Sequence, residues 1–302
     1  MLMPIYGHMK ANKRRTFLLF TSFVLLFLAV GYALGIYLGE PVVGLVIAAI
    51  IALVVMLISY YGGQNAITAM AGARPVSRED EPYLYHTVEG LSIAAGIPTP
   101  RAYIIESDIP NAFAAGRKPE QAVVAVTRGL LKRLNRVELE GVLAHEISHI
   151  RNYDILIATM AVVLAGTIVF VSVIARRSLW LGGRGRRSSG GGKGQLLVIA
   201  IIIILAILAP IFARILQFAI SRQREYLADA AAAELTGYPE GLAAALEKIS
   251  GQQEPGSQLD NQALQGLYIV NPALGARGRS KADGLFATHP ATEKRIERLR
   301  SM

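Results

Sequence analysis

The most informative chemical pattern in the sequence is a pair of histidines four residues apart, His145 and His149, with Glu146 between them. Residues four apart on a helix share one face, so both imidazoles can reach the same ion. This H-E-x-x-H spacing is typical of zinc peptidases, in which the glutamate takes a proton from the attacking water. The alternative is two surface histidines on a polar helix face. We predict one bound Zn²⁺, with Glu146 as general base.

A catalytic zinc site needs a third protein ligand and an open position for water. No further histidine follows His149 at short spacing, but Glu225 and Asp229 form another pair four residues apart. Glu225 could bind the ion, while Asp229 accepts a hydrogen bond from a liganding imidazole. Alternatively, Glu225 pairs only with Arg222 or Arg224 on a solvated helix. Spacing alone leaves both interpretations open.

The composition places this pattern in a membrane protein. Of the 302 residues, 53% are hydrophobic and only 18% are charged, against about a quarter charged in a soluble domain. Mean hydropathy is +0.40. Four windows contain no Asp, Glu, Lys or Arg: 16–39, 41–73, 155–175 and 194–213. Each is long enough to cross about 30 Å of hydrocarbon, which argues against a soluble globule and against a disordered chain.

Two further totals narrow the classes of function. The chain has no cysteine, which excludes disulfides, thiolate ligands and a cysteine nucleophile. Its net charge is +9, but no basic stripe is interleaved with stacking aromatics, so nucleic acid is not an expected partner. In a membrane protein such a surplus more often reflects loops that face the lipid bilayer.

The apolar windows divide the chain into alternating membrane and polar segments. A cleaved signal peptide would have a shorter apolar core than the first run, so that run and the second predict a helical hairpin. The segments are a basic N-terminus (1–15), this hairpin (16–61), the first part of a catalytic domain (62–154), a second membrane helix pair with a basic Gly/Ser loop at 176–194 (155–213), and the second part of the catalytic domain (214–302).

Local patterns predict the elements that hold the candidate site. A helix is expected over 83–95, ended by Gly96, and short strands are expected at Ala102–Ile105, Asn111–Ala115 and Ala122–Thr127. Asn135 is a plausible N-cap for the H-E-x-x-H helix, which we expect to continue into the third apolar run. Further helices are expected over 221–235, 240–249 and 290–299, with a long loop or ordered insertion at 251–283.

Four motifs together resemble the HtpX-type membrane zinc endopeptidases, relatives of the CAAX prenyl proteases. They are His145–His149, Arg224-Glu225-Tyr226-x-Ala228-Asp229, Asn111-Ala112-Phe113-Ala114 and Thr288-His289-Pro290-x-Thr292-Glu293-Lys294-Arg295-Ile296. The resemblance covers nearly the whole chain. It implies a mainly helical membrane protein, with four apolar membrane helices and a zincin-like α+β metalloprotease domain containing a small sheet.

The resemblance also implies roles for individual residues. His145, His149 and Glu225 would bind zinc, with Glu146 as general base and Asp229 as the partner of a ligand. Asn111, Ala112, Phe113 and Ala114 would form an edge strand that pairs with substrate backbone; the alternative is an ordinary core strand. His289 could donate to the oxyanion or simply start a helix, and Arg222 or Arg224 could donate instead.

A shared metal site constrains the membrane topology. If His149 and Glu225 bind one ion, residues 62–154 and 214–302 lie on the same side, so the third and fourth runs cross as a pair or not at all. Lys10–Arg15 precede the first run, and the positive-inside rule then predicts a multi-pass cell-membrane protein with a cytoplasmic catalytic domain. The six basic residues of 176–194 conflict with full crossing. They could instead touch anionic lipid or form a soluble linker.

The expected function is hydrolysis of peptide bonds in misfolded or damaged membrane proteins, a role in stress response and protein quality control that the resemblance implies. The partners would be polypeptide substrates and the lipid bilayer. A CAAX-type processing protease is a second possibility, although that relative has more membrane spans. A non-catalytic zinc scaffold is a third, against which Glu146 argues, because a scaffold has no use for a general base. Two histidines and one carboxylate favour zinc as the metal.

Overall fold

The computed structural model describes residues 3–164, 166, 222–250, 264, 267–269 and 290–302. Two long helices open the chain, α1 (Met3–Leu38) and α2 (Pro41–Met70). They form the predicted hairpin, and the turn between them contains Gly39 in the left-handed region (φ +86°). Pro41 suits the first position of α2 because that position needs no backbone N–H donor.

The hairpin helices approach closely because glycines face each other across the contact. A Cβ added to Gly44 would overlap the carbonyl oxygen of Gly31 and lie 2.7 Å from the Cα of Gly35. Small residues of this kind let the backbones of membrane helices pack against each other. The turn and the glycine contact therefore fix α1 and α2 as one unit.

Both hairpin helices contain a candidate membrane span, Thr16–Ile36 and Pro41–Met70. Large apolar side chains on their outer faces are exposed, for example Val42 at 71% and Leu53 at 55%, as expected for surfaces that meet lipid. Among the described residues these two are the only single helices long and apolar enough to cross. The prediction of four membrane helices is thus confirmed for the first two. About half of the third run (165 and 167–175), the basic loop 176–194 and the fourth run lie outside the described residues.

A small mixed sheet follows the hairpin. Its strands are β1 (Ala73–Pro75), β2 (Arg101–Ile105), β3 (Ala112–Ala115) and β4 (Val123–Thr127), in the order β1-β2-β4-β3. Strands β2 and β4 are parallel, and the outer strands β1 and β3 run antiparallel to their neighbours. The three strands expected from the sequence are confirmed. β1 was not predicted, because three residues are too few to establish an alternating pattern.

The sheet separates two hydrophobic clusters. Alternate side chains point to opposite faces: Ala112, Ala114 and Val126 join the cluster around the H-E-x-x-H helix, whereas Phe113 and Ala125 join one that includes Ile67 of α2. One face of the sheet thus supports the candidate metal site, and the other packs toward the membrane helices.

The remaining helices of the first half are α3 (Pro82–Ala95), α4 (Arg128–Arg133), α5 (Arg136–Arg151) and α6 (Asp154–Leu164). Helix α3 ends at Gly96 in the left-handed region (φ +68°), as predicted. Helix α5 starts with a capping box in which Asn135 and Glu138 each accept from the other's backbone N–H. This cap confirms the predicted start of the H-E-x-x-H helix.

The expectation that this helix continues into the third apolar run is wrong. Helix α5 ends at Arg151, and α6 leaves at an angle of 88° to it. Between them Tyr153 adopts φ +59°, a region that non-glycine residues seldom occupy. Helix α6 then packs Ile157 and Ala161 against Phe23 of α1. The chain therefore turns sharply from the candidate site toward the membrane hairpin.

Three helices of the second half are described: α7 (Arg222–Thr236), α8 (Pro239–Ser250) and α9 (Thr292–Arg300). All three were predicted to within about two residues. Helix α5 packs against both α7 and α8, and α9 packs against α8. The backbone of α8 at Leu242 lies so close to Gly141 of α5 that a Cβ there would come within 2.7 Å of its nitrogen. This contact brings the second-half helices onto the H-E-x-x-H helix.

Candidate metal centre and active site

The two histidines of the H-E-x-x-H pattern lie one turn apart on α5 and face the same point. Their Nε2 atoms are 3.2 Å apart, and their rings meet edge to face with centroids 4.7 Å apart. His145 is buried, at 1% exposure, while His149 is partly accessible. The side chains that the spacing placed on one helix face thus converge in the folded chain.

Helix α7 brings a carboxylate to the same point. The Oε2 atom of Glu225 lies 3.6 Å from Nε2 of His145, and Oε1 lies 3.5 Å from Nε2 of His149. Ligand atoms of these three residues all lie within 4.8 Å of one another. Ligands about 2.0–2.1 Å from a tetrahedral zinc ion would be about 3.3 Å apart. The donor set and its spacing therefore fit zinc.

A carboxylate lies within hydrogen-bond distance of the other ring nitrogen, Nδ1, of each histidine. Nδ1 of His145 lies 3.0 Å from Oδ1 of Asp229, and Nδ1 of His149 lies 3.0 Å from Oδ2 of Asp154. Such a partner fixes the tautomer that leaves Nε2 free to bind a metal. Asp229 was expected from the sequence, but Asp154 was not. Its position just after the H-E-x-x-H helix was the available signal.

A buried arginine from the last helix completes this arrangement. Arg295 of α9 is 1% exposed, and it donates to both carboxylate oxygens of Asp229, over 2.9 and 2.7 Å. Its Nη1 atom also donates to the carbonyl oxygen of Ile269 at 3.1 Å and lies 3.6 Å from Oε2 of Glu225. Arg295 belongs to the late motif quoted above, but no sequence argument gave it a role.

The electrostatics of the site depend on these contacts. Burial lowers the pKa of His145 and so does Arg295, but hydrogen bonds to Asp229 and Glu225 outweigh both and raise it to about 9. A protonated imidazole cannot bind a cation, so metal binding must release this proton. Burial and the charge of Arg295 act in opposite directions on the pKa of Asp229, and the net effect lowers it. Asp229 is therefore anionic.

Glu146 lies in the same buried region, at 3% exposure. Burial raises the pKa of its carboxyl group, and the nearby histidines only partly oppose this effect. A carboxylate in such surroundings is a stronger base than an exposed one. Its position beside both histidines and its raised pKa suit the acceptance of a proton from water.

Of the three side chains predicted as donors to the oxyanion, the structure describes only that of Arg224. Arg224 is buried, and its Nη1 atom lies 3.5 Å from Oδ1 of Asp154. The structure thus places Arg224 beside the carboxylate partner of His149. The side chain of Arg222 and the whole of His289 lie outside the described residues.

The predicted substrate strand is β3, an edge strand of the sheet whose Ala112 and Ala114 share the hydrophobic cluster of α5. Asn111, just before it, accepts from the N–H of Thr127 on the neighbouring strand at 3.0 Å. On the outer edge, the N–H of Ile269 donates to the carbonyl oxygen of Ala112 at 3.1 Å. All four strand residues are buried, so β3 is at once an edge and part of the core.

The chain is similar to known proteins over nearly its full length. The family model for peptidase family M48 matches residues 78–302. A protease HtpX homolog from Dictyoglomus turgidum is 48% identical over 298 residues, 98% of this chain and 94% of that protein. One from Streptococcus gordonii is 44% identical, and the match covers 99% of this chain and all of that protein.

A solved structure shows the same fold. The crystal structure of S. mikatae Ste24p superposes with a TM-score of 0.52 over 97% of this chain and 67% of that one, at 18% sequence identity. Identity this low supports a shared fold alone. The family match and the near-complete relatives carry the assignment: the chain belongs to peptidase family M48 and is an HtpX-type membrane metalloprotease.

Proposed function

We propose that the protein is a zinc-dependent endopeptidase, with His145, His149 and Glu225 as the zinc ligands. The convergence of two imidazoles and one carboxylate at tetrahedral ligand spacing carries this proposal. Three protein ligands leave a fourth position for water, as in other catalytic zinc sites. When bound there, zinc would lower the pKa of that water and polarise the carbonyl group of the scissile peptide bond.

Side chains of the protein would carry out the proton transfers and fix the protonation of the two histidines. The carboxylate of Glu146 takes a proton from the attacking water and later passes it to the nitrogen of the departing amine. Asp229 and Asp154 accept from Nδ1 of His145 and His149, which keeps both Nε2 atoms available as ligands. His289, Arg222 and Arg224 remain candidates for donors to the oxyanion, although the contact of Arg224 with Asp154 favours a structural role for Arg224.

Substrate would bind in extended form along β3. Asn111 turns its carbonyl group toward β4 and Ala112 turns its carbonyl group outward, so the alternation of an antiparallel strand directs the backbone of Ala114 outward as well. The outward groups of Ala114 can pair with one more strand, and the carbonyl oxygen of Ala112 can join them once it gives up the N–H of Ile269. Phe113 is buried beneath. Such binding selects unfolded polypeptides, because a folded protein does not offer a free strand.

Membrane proteins are the proposed substrates because the candidate metal centre adjoins the membrane helices. Asp154, the partner of His149, is the first residue of α6, and Ile157 one turn later already packs in the cluster of the hairpin. Helix α2 has 30 residues, more than the roughly 20 needed to cross the hydrocarbon layer. Its residues Tyr60 and Tyr61 contact Arg117, as aromatics at a bilayer surface would.

This placement supports a role in the removal of misfolded or damaged membrane proteins in the cell membrane. The positive-inside rule predicts that both halves of the catalytic domain face the cytoplasm. The third and fourth apolar runs would then either cross as a pair, with 176–194 on the other side, or not cross, with 176–194 at the lipid surface.

The substitution Glu146→Gln tests the proposed chemistry. Glutamine keeps the size of the side chain but cannot accept the proton, so we expect zinc content near that of the wild type and a loss of casein cleavage of about 100-fold or more. Zinc would be measured by elemental analysis of the protein purified in detergent, and cleavage would be measured with added zinc and with a chelator.

Glu140→Gln is the matched control, because Glu140 lies on the same helix and is half-buried but outside the cluster. It should leave both zinc content and cleavage unchanged. Cleavage by Glu146→Gln at the wild-type rate would contradict the assignment of the general base, and a wild-type protein that binds zinc without cleaving any polypeptide would favour the scaffold alternative.

A further inference from the structure

Arg295 is a charged side chain with no access to solvent. It is among the largest fully buried side chains that the structure describes, at 1% exposure. Burial of an isolated charge is strongly unfavourable, so a buried arginine is retained only where its donors are well paired. Its partners therefore indicate what the side chain does.

The partners of Arg295 surround the proposed metal ligands. Its Nε and Nη2 atoms meet the two oxygens of Asp229 in a bidentate pair. The same Oδ1 atom of Asp229 that accepts from Arg295 at 2.7 Å lies 3.0 Å from Nδ1 of His145. Nη1 lies 3.6 Å from Oε2 of Glu225. One guanidinium group thus lies directly behind two of the three proposed ligands.

A bidentate pair constrains Asp229 more than a single hydrogen bond would. Two parallel N–H···O bonds fix the plane of a carboxylate as well as its distance. With that plane fixed, Oδ1 can accept from His145 in only one direction, which sets the orientation of the imidazole. A lysine ammonium group is a point charge and cannot impose this geometry.

We propose that Arg295 is a positioning residue of the metal centre: it holds Asp229 so that His145 presents Nε2 to the ion. This inference rests on the proposed zinc site and adds the last helix of the chain to it. Arg295 contacts neither water nor substrate in this role, and it acts through Asp229. Its hydrogen bond to the carbonyl oxygen of Ile269 holds the third donor group in place.

A purely structural role is the competing explanation, since Arg295 also ties α9 to α7. The two explanations predict different relations between zinc affinity and stability. If Arg295 acts on zinc through Asp229, zinc affinity falls even in variants that keep the unfolding midpoint of the zinc-free wild type, and its replacement has little further effect once Asp229 is changed. If it only joins helices, the loss of zinc affinity follows the loss of stability from one variant to the next.

The test compares zinc affinity among variants of the full chain in detergent, measured by competition with a chelating dye. We expect Arg295→Met to weaken zinc binding by about 10- to 100-fold, the usual effect of losing a partner of a metal ligand. Arg295→Lys, which keeps the charge without the bidentate geometry, should lie between Arg295→Met and the wild type. In an Asp229→Asn background, Arg295→Met should change affinity by less than about twofold.

Arg300→Met is the matched control. Arg300 lies on the same helix, but its guanidinium group pairs with Glu240 and Glu247 at the surface. We expect zinc affinity within about twofold of the wild type for this variant. The thermal unfolding midpoint of each zinc-free variant shows whether it is folded, and Arg295→Lys keeps the comparison valid if Arg295→Met does not fold.

The outcomes separate this inference from the proposed function. Wild-type zinc affinity in a folded Arg295→Met or Arg295→Lys protein would overturn the role of Arg295 and leave the proposed function intact. An undiminished effect of Arg295→Met in the Asp229→Asn background would also overturn it, because the action would not pass through Asp229. A wild-type chain that binds no zinc would overturn the proposed function itself.

Discussion

The two histidines of the H-E-x-x-H helix are oriented by carboxylates from different parts of the chain. Asp229 comes from another helix, while Asp154 follows the helix that carries His149. Each carboxylate also meets an arginine, at 2.7 Å for Arg295 and 3.5 Å for Arg224. In the proposed zinc site, a pair of ligands held in this way would be oriented before the metal binds, which would lower the free-energy cost of assembling the site.

At this scale we predict that Asp154→Asn weakens zinc binding by about tenfold, at the lower end of the range for such partners. Asparagine can still accept from His149 through its oxygen, but it lacks the negative charge that strengthens the hydrogen bond. Zinc affinity by chelator competition is the measurement. The control Asp108→Asn removes an exposed carboxylate that pairs with Lys132, and it should have no effect. Equal affinities for Asp154→Asn and the wild type would contradict this role.

Sequence patterns identified most of the residues that converge at the candidate metal centre. Spacing alone singled out His145, Glu146 and His149. It also offered Glu225 and Asp229 with an alternative left open, and the family resemblance decided in their favour. Arg295 was not predicted because Asp229 lies 66 residues away in the sequence and His145, whose Nδ1 atom is 3.4 Å from Nη2 of Arg295, lies 150 residues away. No local pattern connects them. Asp154 was not predicted because the helix was expected to continue past it, which would have directed its side chain elsewhere.

At the scale of elements, the break after α5 decides where the site lies. The sequence contains neither proline nor glycine at Asn152 and Tyr153. Asn152 at the C-cap of α5 is a weaker stop signal, and it does not specify an 88° bend. Tertiary packing supplies the reason: the sheet and α7 hold α5, while α6 packs in the membrane cluster. Helix starts with a cap and β-prone runs bounded by proline or glycine were predictable, since their signals are local.

The hairpin gives a test of packing between elements. Gly44→Ala should destabilise the protein by about 1–3 kcal/mol, because the added Cβ would lie 2.7 Å from the Cα of Gly35. Gly62→Ala lies on the same helix and meets no atom within 4 Å, so it should be neutral or slightly stabilising through better helix propensity. Thermal unfolding in detergent would compare the two. Equal stability of both variants would contradict the close contact of α1 and α2.

At the scale of the whole molecule, the sheet lies between the H-E-x-x-H helix and part of the membrane hairpin. One face of the sheet contributes to the hydrophobic cluster around α5, beneath the candidate metal centre. The other face meets α2 and residues of α6. Composition predicted a membrane protein before any motif was considered. It could not reveal this two-sided arrangement, because alternation in the buried strands is hidden when both faces are apolar.

The arrangement predicts the depth of α2 in the bilayer. A tryptophan at Tyr61, in a Trp180→Phe background that removes the only native tryptophan, should be quenched best by lipids labelled near the headgroups. A tryptophan at Leu53, about two turns back on α2, should be quenched best by lipids labelled deep in the acyl chains. A tryptophan at Ile93, which is 74% exposed on α3, should not be quenched by either. Deep quenching at position 61 would contradict the proposed bilayer level.

The hydrogen bond between Ile269 and Ala112 has a consequence for enzyme kinetics. Through this bond the protein's own backbone pairs with the outer edge of β3. The neighbouring Tyr268 packs against Phe113 on the face of the sheet that points away from α5. A polypeptide that binds at this edge competes with a ligand that is always present at high effective concentration. A dilute soluble chain competes poorly, whereas a segment confined to the same membrane plane has a high local concentration of its own. The enzyme can then favour membrane-tethered substrates over soluble ones without any contact that recognises particular side chains.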